Sequence, residues 1–250
     1  MDHQFHTTRV LARDLAGTPE LRSLWEFANS TFAHGAQQYP EMGVSEGKRF
    51  EQPADFTEEM GTDGVTFIHY VSSSREDSGK AKIVATAGCK PWSSAYRLDE
   101  RVKRMREERE AREKEPAKSP GQDYDGFYTK EHEDQLLKQI EKLQLMNDSQ
   151  EQDGVARWEV MTVCVHPEWQ KKGMADRLLE KVAGEVSSQV KSLGQGPEFK
   201  LMVRTMKEIN EKYWLSKGFK PVGEKFFEPG TFGSPTGFHI IDLSRDHRTN

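Results

Sequence analysis

The 250-residue chain has no run of 18 or more apolar residues, so nothing in it reads as a membrane-spanning helix. Its opening, Met1-Asp2-His3-Gln4-Phe5-His6, lacks the basic start and the apolar stretch of a secretory signal, and the expectation is a cytoplasmic protein. Cysteine is scarce. Cys89 and Cys164 are the only two, both in apolar, strand-like runs, which excludes a disulfide framework and fits buried thiols in a reducing compartment. Positive charge is not in excess either. With 36 Lys+Arg against 41 Asp+Glu, a net charge of −5, the composition gives no case for a nucleic-acid partner. Apolar residues make up only 34% of the chain and the mean hydropathy is −0.83, low for a globular protein of this length. Something polar dilutes the average.

That polar material is local. From Arg101 to Glu115 the chain reads RVKRMREEREAREKE, in which only Val102, Met105 and Ala111 are uncharged. Both signs are mixed at helical spacing, and Leu98, Val102 and Met105 form one thin apolar stripe. A break at Glu115-Pro116-Ala117-Lys118-Ser119-Pro120-Gly121 leads to a second helical pattern behind Thr129, with Leu136, Ile140 and Leu143 on one face. Residues 93–154 are therefore read as a charged helical insertion within a single 1–250 domain. It is either a solvated excursion without chemistry or a lid or docking arm. Tyr124, Phe127 and Tyr128 either close over a substrate or pack on the body.

Outside the insertion, strand-like and helix-like patterns alternate. Glu20 to Ala33 carries a wide apolar stripe behind Thr18-Pro19, a cap followed by a first-turn proline. A short helix is expected near Pro53 to Met60. Val65–Ser72 and Lys82–Cys89 read as a hairpin. Strands at Arg157–Val165, Phe199–Arg204, Phe219–Phe227 and Phe238–Leu243 enclose helices at Met174 to about Leu193 and at Lys207–Lys217. The order predicts an α/β fold with one mixed sheet and helices on both faces.

One segment carries chemistry. Strand residues through Val165 end in His166-Pro167, and Gly173 then opens an amphipathic helix with Leu178, Leu179, Val182 and Val186 on its apolar face. A helix N-terminus presents unpaired N–H groups and partial positive charge, and a glycine there lets a phosphate approach the backbone. Lys171 and Lys172 add cations. Many strand-loop-helix turns with one glycine bind nothing, so the pattern alone leaves both readings open.

Gln170-Lys171-Lys172-Gly173-Met174-Ala175 resembles the Q/R-x-x-G-x-G/A signature of the GNAT superfamily of N-acetyltransferases. It is preceded by Val163-x-Val165-x-Pro167 and followed by Arg177-Leu178-Leu179, as in that family. Tyr213-Trp214-Leu215-Ser216-Lys217-Gly218-Phe219 is similar to the family's aromatic-x-x-x-Gly-Phe segment. The resemblance spans Thr7 to Leu243 except for the insertion. It implies a mixed, mostly antiparallel, twisted sheet, and acetyl-CoA as cofactor with its pyrophosphate on the N–H groups of Gln170, Lys171, Lys172, Gly173, Met174 and Ala175. The pantetheine arm would run beside Val163, Cys164 and Val165 between two strands that splay apart, with the N–H near Val163 polarising the thioester carbonyl. Asn210 would contact the pantetheine, although its spacing is shifted from the family's.

The implied reaction moves the acetyl group to a primary amine by direct attack in a ternary complex, a small amine being the first expectation. A protein lysine or N-terminal acetyltransferase shares this chemistry, and a non-catalytic CoA-binding interaction protein is the alternative from another class. An alkylammonium, which titrates at about 10.4, must lose a proton before attack. Glu159, eleven residues before Gln170, matches the general-base glutamate of the histone-acetyltransferase branch. The other reading of Glu159 is a solvent-facing residue at a strand start. His166 ranks second as base and His69 third. Where the family carries a tyrosine that reprotonates the thiolate this chain has Trp214, leaving the adjacent Tyr213, water or an unassisted leaving group. The acceptor is expected between the segment His34 to Met60 and the loop Phe227 to Gly233, with Glu41, Glu46, Glu58 and Glu228 as candidate attractants. The oligomeric state, monomer or homodimer, is left open.

Overall fold

The apolar runs of the chain assemble into one seven-stranded sheet, seen in a computed structural model that describes residues 3–42, 49–73, 81–92, 154–229 and 234–249. The strands are β1 (His3–Leu11), β2 (Val65–Ser73), β3 (Lys82–Pro91), β4 (Ala156–Val165), β5 (Glu198–Met206), β6 (Lys220–Phe227) and β7 (Phe238–Arg248). Their order across the sheet is β1-β2-β3-β4-β5-β7-β6. Every neighbouring pair is antiparallel except β4 and β5. This is the mixed, mostly antiparallel sheet that the sequence pattern leads one to expect.

The helices are α1 (Ala12–Leu15), α2 (Pro19–Ala36), α3 (Pro53–Met60), α4 (Met174–Ser192) and α5 (Lys207–Ser216), with 3₁₀ turns at Pro40–Met42 and Pro167–Trp169. They divide between the two faces. Leu178, Leu179, Val182, Val186 and Val190 of α4 and Trp214 of α5 pack on Val65, Ala85, Ala87, Trp158, Val160 and Leu201. On the other face Leu21, Leu24, Phe27 and Ala28 of α2 and Phe56 and Met60 of α3 pack on Ile68, Ile83, Met161 and Cys164. The Thr18 hydroxyl accepts from Leu21 N at 3.2 Å and caps α2, whose first residue is Pro19, as the Thr-Pro pair implied.

Two elements lie outside the sequence reading. β1 is an edge strand with mixed polar and apolar residues and no continuous apolar run, and α1 is a single turn. β1 is tied to α4 by Arg9, whose Nε and Nη2 donate to the two carboxylate oxygens of Glu185 at 2.8 and 2.7 Å. β7 also runs five residues beyond the expected end at Leu243. Both cysteines are buried, and burial pushes each thiol up to about 12, so they are inert at neutral pH.

The chain divides into a unit made of Met1–Trp92 and Val155–Asn250 and a second unit, Ser93–Gly154. The expected insertion at 93–154 falls on the second unit and, Gly154 apart, lies outside the described residues. Its two attachment points are neighbours, because Trp92 N donates to Arg157 O at 2.9 Å and Pro91 pairs with Trp158. No helix among the described residues is long and apolar enough to cross a membrane.

The extension of β7 carries a pH-sensitive contact. His247 stacks on Phe199 with ring centroids 5.1 Å apart, and its Nε2 faces Arg245 Nε at 2.8 Å, so the neutral imidazole accepts. Burial, followed by the Arg245 charge, lowers His247 to about 4. A histidine in the unfolded chain titrates near about 6.5, so the unfolded state binds more protons between those values and stability is lost as pH falls through that window. Urea unfolding of a His247→Gln variant is expected to show a shallower stability loss from pH 6.5 down to 4 than the parent. Parallel profiles would contradict this.

Candidate active site

The sheet forks where β4 meets β5. Ala156, Arg157, Trp158 and Glu159 pair in parallel with Phe199, Lys200, Leu201 and Met202, and there the pairing ends. Beyond it β4 stays paired with β3 as far as Val165, and β5 stays paired with β7 as far as Met206. The facing edges of Val160–Val165 and Val203–Met206 therefore have no strand partner in each other, although Val165 O is taken by the Gln170 side chain.

A β-bulge shapes this segment. Gly88 pairs with Met161 and Thr86 with Cys164, so Thr162 and Val163 together oppose Ala87. Thr162 takes φ 49°, in the left-handed region, which is costly for a β-branched residue. The extra residue resets the alternation. Trp158 and Val160 face α4, Met161 and Cys164 face α2 and α3, and Val163 and Val165 face α4 again. The Cys164 side chain is thus in the core on the α2 side, and only its backbone lies along the fork.

The fork opens toward the loop before α4. Trp169 N donates to His166 O at 2.8 Å, and Gln170 Nε2 donates to Val165 O at 3.2 Å, which fixes the loop to the end of β4. Lys171 has φ 60° and Gly173 has φ 75°. Gly173 is the residue before α4 and offers no side-chain cap, and the first helical bond runs from Arg177 N to Gly173 O at 3.2 Å. The N–H groups of Met174, Ala175 and Asp176 consequently have no acceptor within the helix. No atom lies within 4 Å of where a Gly173 Cβ would stand, so the space beside this turn is open. Gln170, Lys171 and Lys172 are exposed, and Lys172 Nζ lies 4.5 Å from the Trp169 ring centroid. Backbone donors at a helix N-terminus with two lysines at the rim are the arrangement that suits an anion.

Asp176 places a negative charge in the same first turn. Lys217 Nζ meets its Oδ1 at 2.6 Å and also lies 5.4 Å from the Tyr213 ring centroid, joining the end of α5 to the start of α4. The Tyr213 hydroxyl is buried with no hydrogen-bond partner among the described residues, and burial, then Asp176, raises it to about 12. Trp214 is part of the core, edge-on to Phe219 at 5.0 Å, so the family's tyrosine position is a packing position here. Asn210 Nδ2 donates to Thr205 Oγ1 at 2.8 Å at the end of β5.

Glu159 occupies the apex of the fork, at the last paired position of β4. Its Oε2 lies 3.4 Å from Lys90 Nζ, and Lys90 also donates to Glu59 O of α3 at 2.7 Å. The carboxylate is largely covered, so it is not a solvent-facing strand end. His166 serves its turn: its Nδ1 accepts from Glu168 N at 3.3 Å, and its own N–H donates to Val84 O at 2.9 Å. His69 is buried on β2, with Nδ1 2.8 Å from Thr7 Oγ1 and its ring stacked on Phe5. Burial, with Arg177 and Lys181 adding to it, holds His69 below the usual histidine range.

Of the loop expected at Phe227 to Gly233, residues 230–233 lie outside the described residues; Ser234 and Thr236, just past it, bond to the other expected segment. The Ser234 hydroxyl, fully buried, lies 2.7 Å from Met42 O and 2.8 Å from Thr236 O, and Thr236 Oγ1 donates to Glu41 O at 3.2 Å. Lys90, Thr162, Asp176 with Lys217, and Ser234 were missed from the sequence. For Thr162 a signal existed, because the β-branched apolar residues of β4 fall at 160, 163 and 165, a one-residue slip in the alternation.

No protein-family model matches the chain, and no curated protein matches it by sequence. Solved structures do match. NAA60 of Arabidopsis thaliana, in complex with a bisubstrate analogue, is 12% identical with a TM-score of 0.53, over 99% of this chain and 100% of that one. An agmatine N-acetyltransferase variant in its apo form is 15% identical with a TM-score of 0.53, over 97% and 99%. The chain therefore has the fold of the GNAT N-acetyltransferases.

Ser234→Ala removes the one proton that ties the β6–β7 connection to Met42 and leaves a buried carbonyl without its donor. A stability loss of about 1–2 kcal/mol in urea unfolding is expected, whereas an unchanged midpoint would mean that the two segments are held by other contacts.

Proposed function

We infer that the protein is an N-acetyltransferase that carries acetyl from acetyl-CoA to a primary amine. The observation that carries this reading is the fork between β4 and β5, whose open end leads to the donors at Gly173–Asp176. Pantetheine amides fit the unpaired strand edges, and the pyrophosphate fits the N–H groups of Lys171–Ala175 with Lys171 and Lys172 beside it; the Gln170 N–H, expected among these donors, is instead taken by Pro167 O at 3.3 Å. Bound acetyl-CoA supplies the activated acetyl carbonyl. The backbone N–H at Val163, re-aimed by the bulge, donates to that oxygen as negative charge develops.

Glu159 receives the amine proton. Three residues lie between it and Val163, a rise of about 13 Å along the strand at about 3.3 Å per residue, so a chain of ordered waters, not a direct contact, must carry the proton from the amine to the carboxylate. Tyr213 is the nearest group to the family's acid position, but a hydroxyl raised to about 12 and facing Asp176 holds its proton tightly. The thiolate leaves with water as the proton source. The burial of Trp214 favours one second reading, a CoA-binding protein without turnover. A small amine is the acceptor favoured here, in line with the agmatine enzyme that shares the fold.

Thiol release from acetyl-CoA, followed across a panel of primary amines, separates these readings: amine-dependent release is expected, and binding without release would establish the second. With an accepted amine, Glu159→Gln should lower kcat by about 10²-fold or more without changing acetyl-CoA affinity. Full activity from pH 6 to 9 would remove it as base. Gly173→Val puts a side chain into open space but at φ 75°, a conformation that costs a β-branched residue stability, so its folding is checked by thermal melting; the folded variant should bind CoA at least about tenfold more weakly by calorimetry, a loss of about 1.4 kcal/mol. Unchanged affinity would displace the pyrophosphate from this loop.

A further inference from the structure

Among the described residues, two that are not glycine have a left-handed backbone, Lys171 in the loop before α4 and Thr162 in β4. Thr162 is unusual in a second, independent way. It is 7% exposed, and its Oγ1 is buried without a hydrogen-bond partner among the described residues. A buried hydroxyl left unmade costs stability, and so does a β-branched residue at positive φ. The two costs fall on one residue, and neither returns anything to the fold. Thr66 and Thr86, on β2 and β3, also have buried, unpartnered hydroxyls, but their strand backbones are ordinary.

The position of Thr162 gives the hydroxyl a use. It immediately precedes Val163, three residues past the apex of the fork. Its Oγ1 lies 3.3 Å from where a Gly88 Cβ would stand, a place occupied by the tip of Met60, whose Sδ and Cε come within 3.0 and 2.7 Å of the same point. Met60 ends α3, the end of the segment His34 to Met60 where the sequence leads one to expect the acceptor. Thr162 thus lies on the face of the sheet covered by Met60, next to the N–H proposed to hold the thioester carbonyl, whereas Glu159 lies about 10 Å up the strand. Above it is an unbranched thioether, a side chain that moves easily.

We propose that the Thr162 hydroxyl is a substrate contact, accepting an N–H of the attacking primary amine and thereby aiming the nitrogen lone pair at the acetyl carbon. A deprotonated primary amine has two N–H groups and one lone pair. Fixing one N–H on Thr162 Oγ1 leaves the lone pair directed at the carbonyl held by Val163 N–H, and Met60 swings aside to admit the amine. The hydroxyl takes no proton. The ammonium proton still leaves along ordered waters to Glu159. This rests on the acetyltransferase reading given above.

Thr162→Val keeps the branched shape and the bulge while deleting the hydroxyl, and Thr162→Ser keeps the hydroxyl. With acetyl-CoA and an amine that the parent accepts, Thr162→Val should lose about tenfold to thirtyfold in kcat/KM for the amine, with acetyl-CoA affinity within about twofold of the parent. It should melt at or above the parent temperature. Thr162→Ser should retain most of the activity, and Thr66→Val, which removes a buried, unpartnered hydroxyl on β2, across β3 from the fork and paired with Gly88, should leave turnover unchanged. Parental turnover in Thr162→Val overturns the proposal. So does a clear drop in its melting temperature, which would give the hydroxyl a structural partner, or an equal loss in Thr66→Val. A parent protein that binds acetyl-CoA but turns over no amine overturns the acetyltransferase reading itself and this contact with it.

Discussion

The parallel pairing of β4 with β5 stops after four residues, and the rest of the site follows from that interruption. A strand can satisfy two edges only while its neighbours keep pace with it. β4 is held to β3 through Val165 and β5 to β7 through Met206, so neither can bend to close the gap. The bulge at Thr162 adds a residue to β4 exactly once, changing which backbone groups face β3 and which face the fork. Two packed faces keep the fork from collapsing: α4 and Trp214 on one side, α2 and α3 on the other. Open backbone donors are thereby fixed in a rigid frame, which is what preorganised stabilisation of a developing oxyanion requires.

Charge around the fork is arranged in pairs. Glu159 lies against Lys90, Asp176 against Lys217, and Arg204 grips Asp242 through both carboxylate oxygens at 2.7 and 3.0 Å. Arg204 and Asp242 are buried, and such a pair is weak evidence for added stability but a strong constraint on register, because removing either member strands the other. The Asp176 pair has a different consequence. An aspartate in the first turn suits the helix dipole yet opposes any other anion at the same end. Lys217 offsets it, so the backbone donors of Gly173–Asp176 face a guest with little opposing field.

Most of this architecture was legible in the sequence. The strands from β2 to β7 and the helices α2 to α5 follow from runs and periods that local chemistry fixes, such as the Thr18-Pro19 cap and the stripe from Leu178 to Val186. β1 was not legible, because an edge strand needs only one buried face and Phe5, Thr7 and Arg9 do not form a run. The anion loop was read from Gly173 and its lysines. The residues that tune the site were not, because Lys90, Lys217 and Ser234 acquire their roles from partners far away in sequence. Glu159 could be placed on a strand, but not at the apex of a fork, since the pairing of β4 with β5 joins residues forty-three positions apart, such as Glu159 and Met202, across one helix. Trp214 stood out by resemblance alone, and its burial against Phe219 explains how an indole is accommodated there.

Hydrogen–deuterium exchange with and without CoA tests the central claim most directly, because it reads the strand edges themselves. If the cofactor completes the interrupted sheet, slowing of exchange should concentrate in residues 160–165 of β4 and in residues 170–176, with β6 and the outer edge of β1 unaffected. Binding of CoA that leaves exchange in 160–165 unchanged would contradict the account, since the fork would then be a feature of the fold that the cofactor does not use.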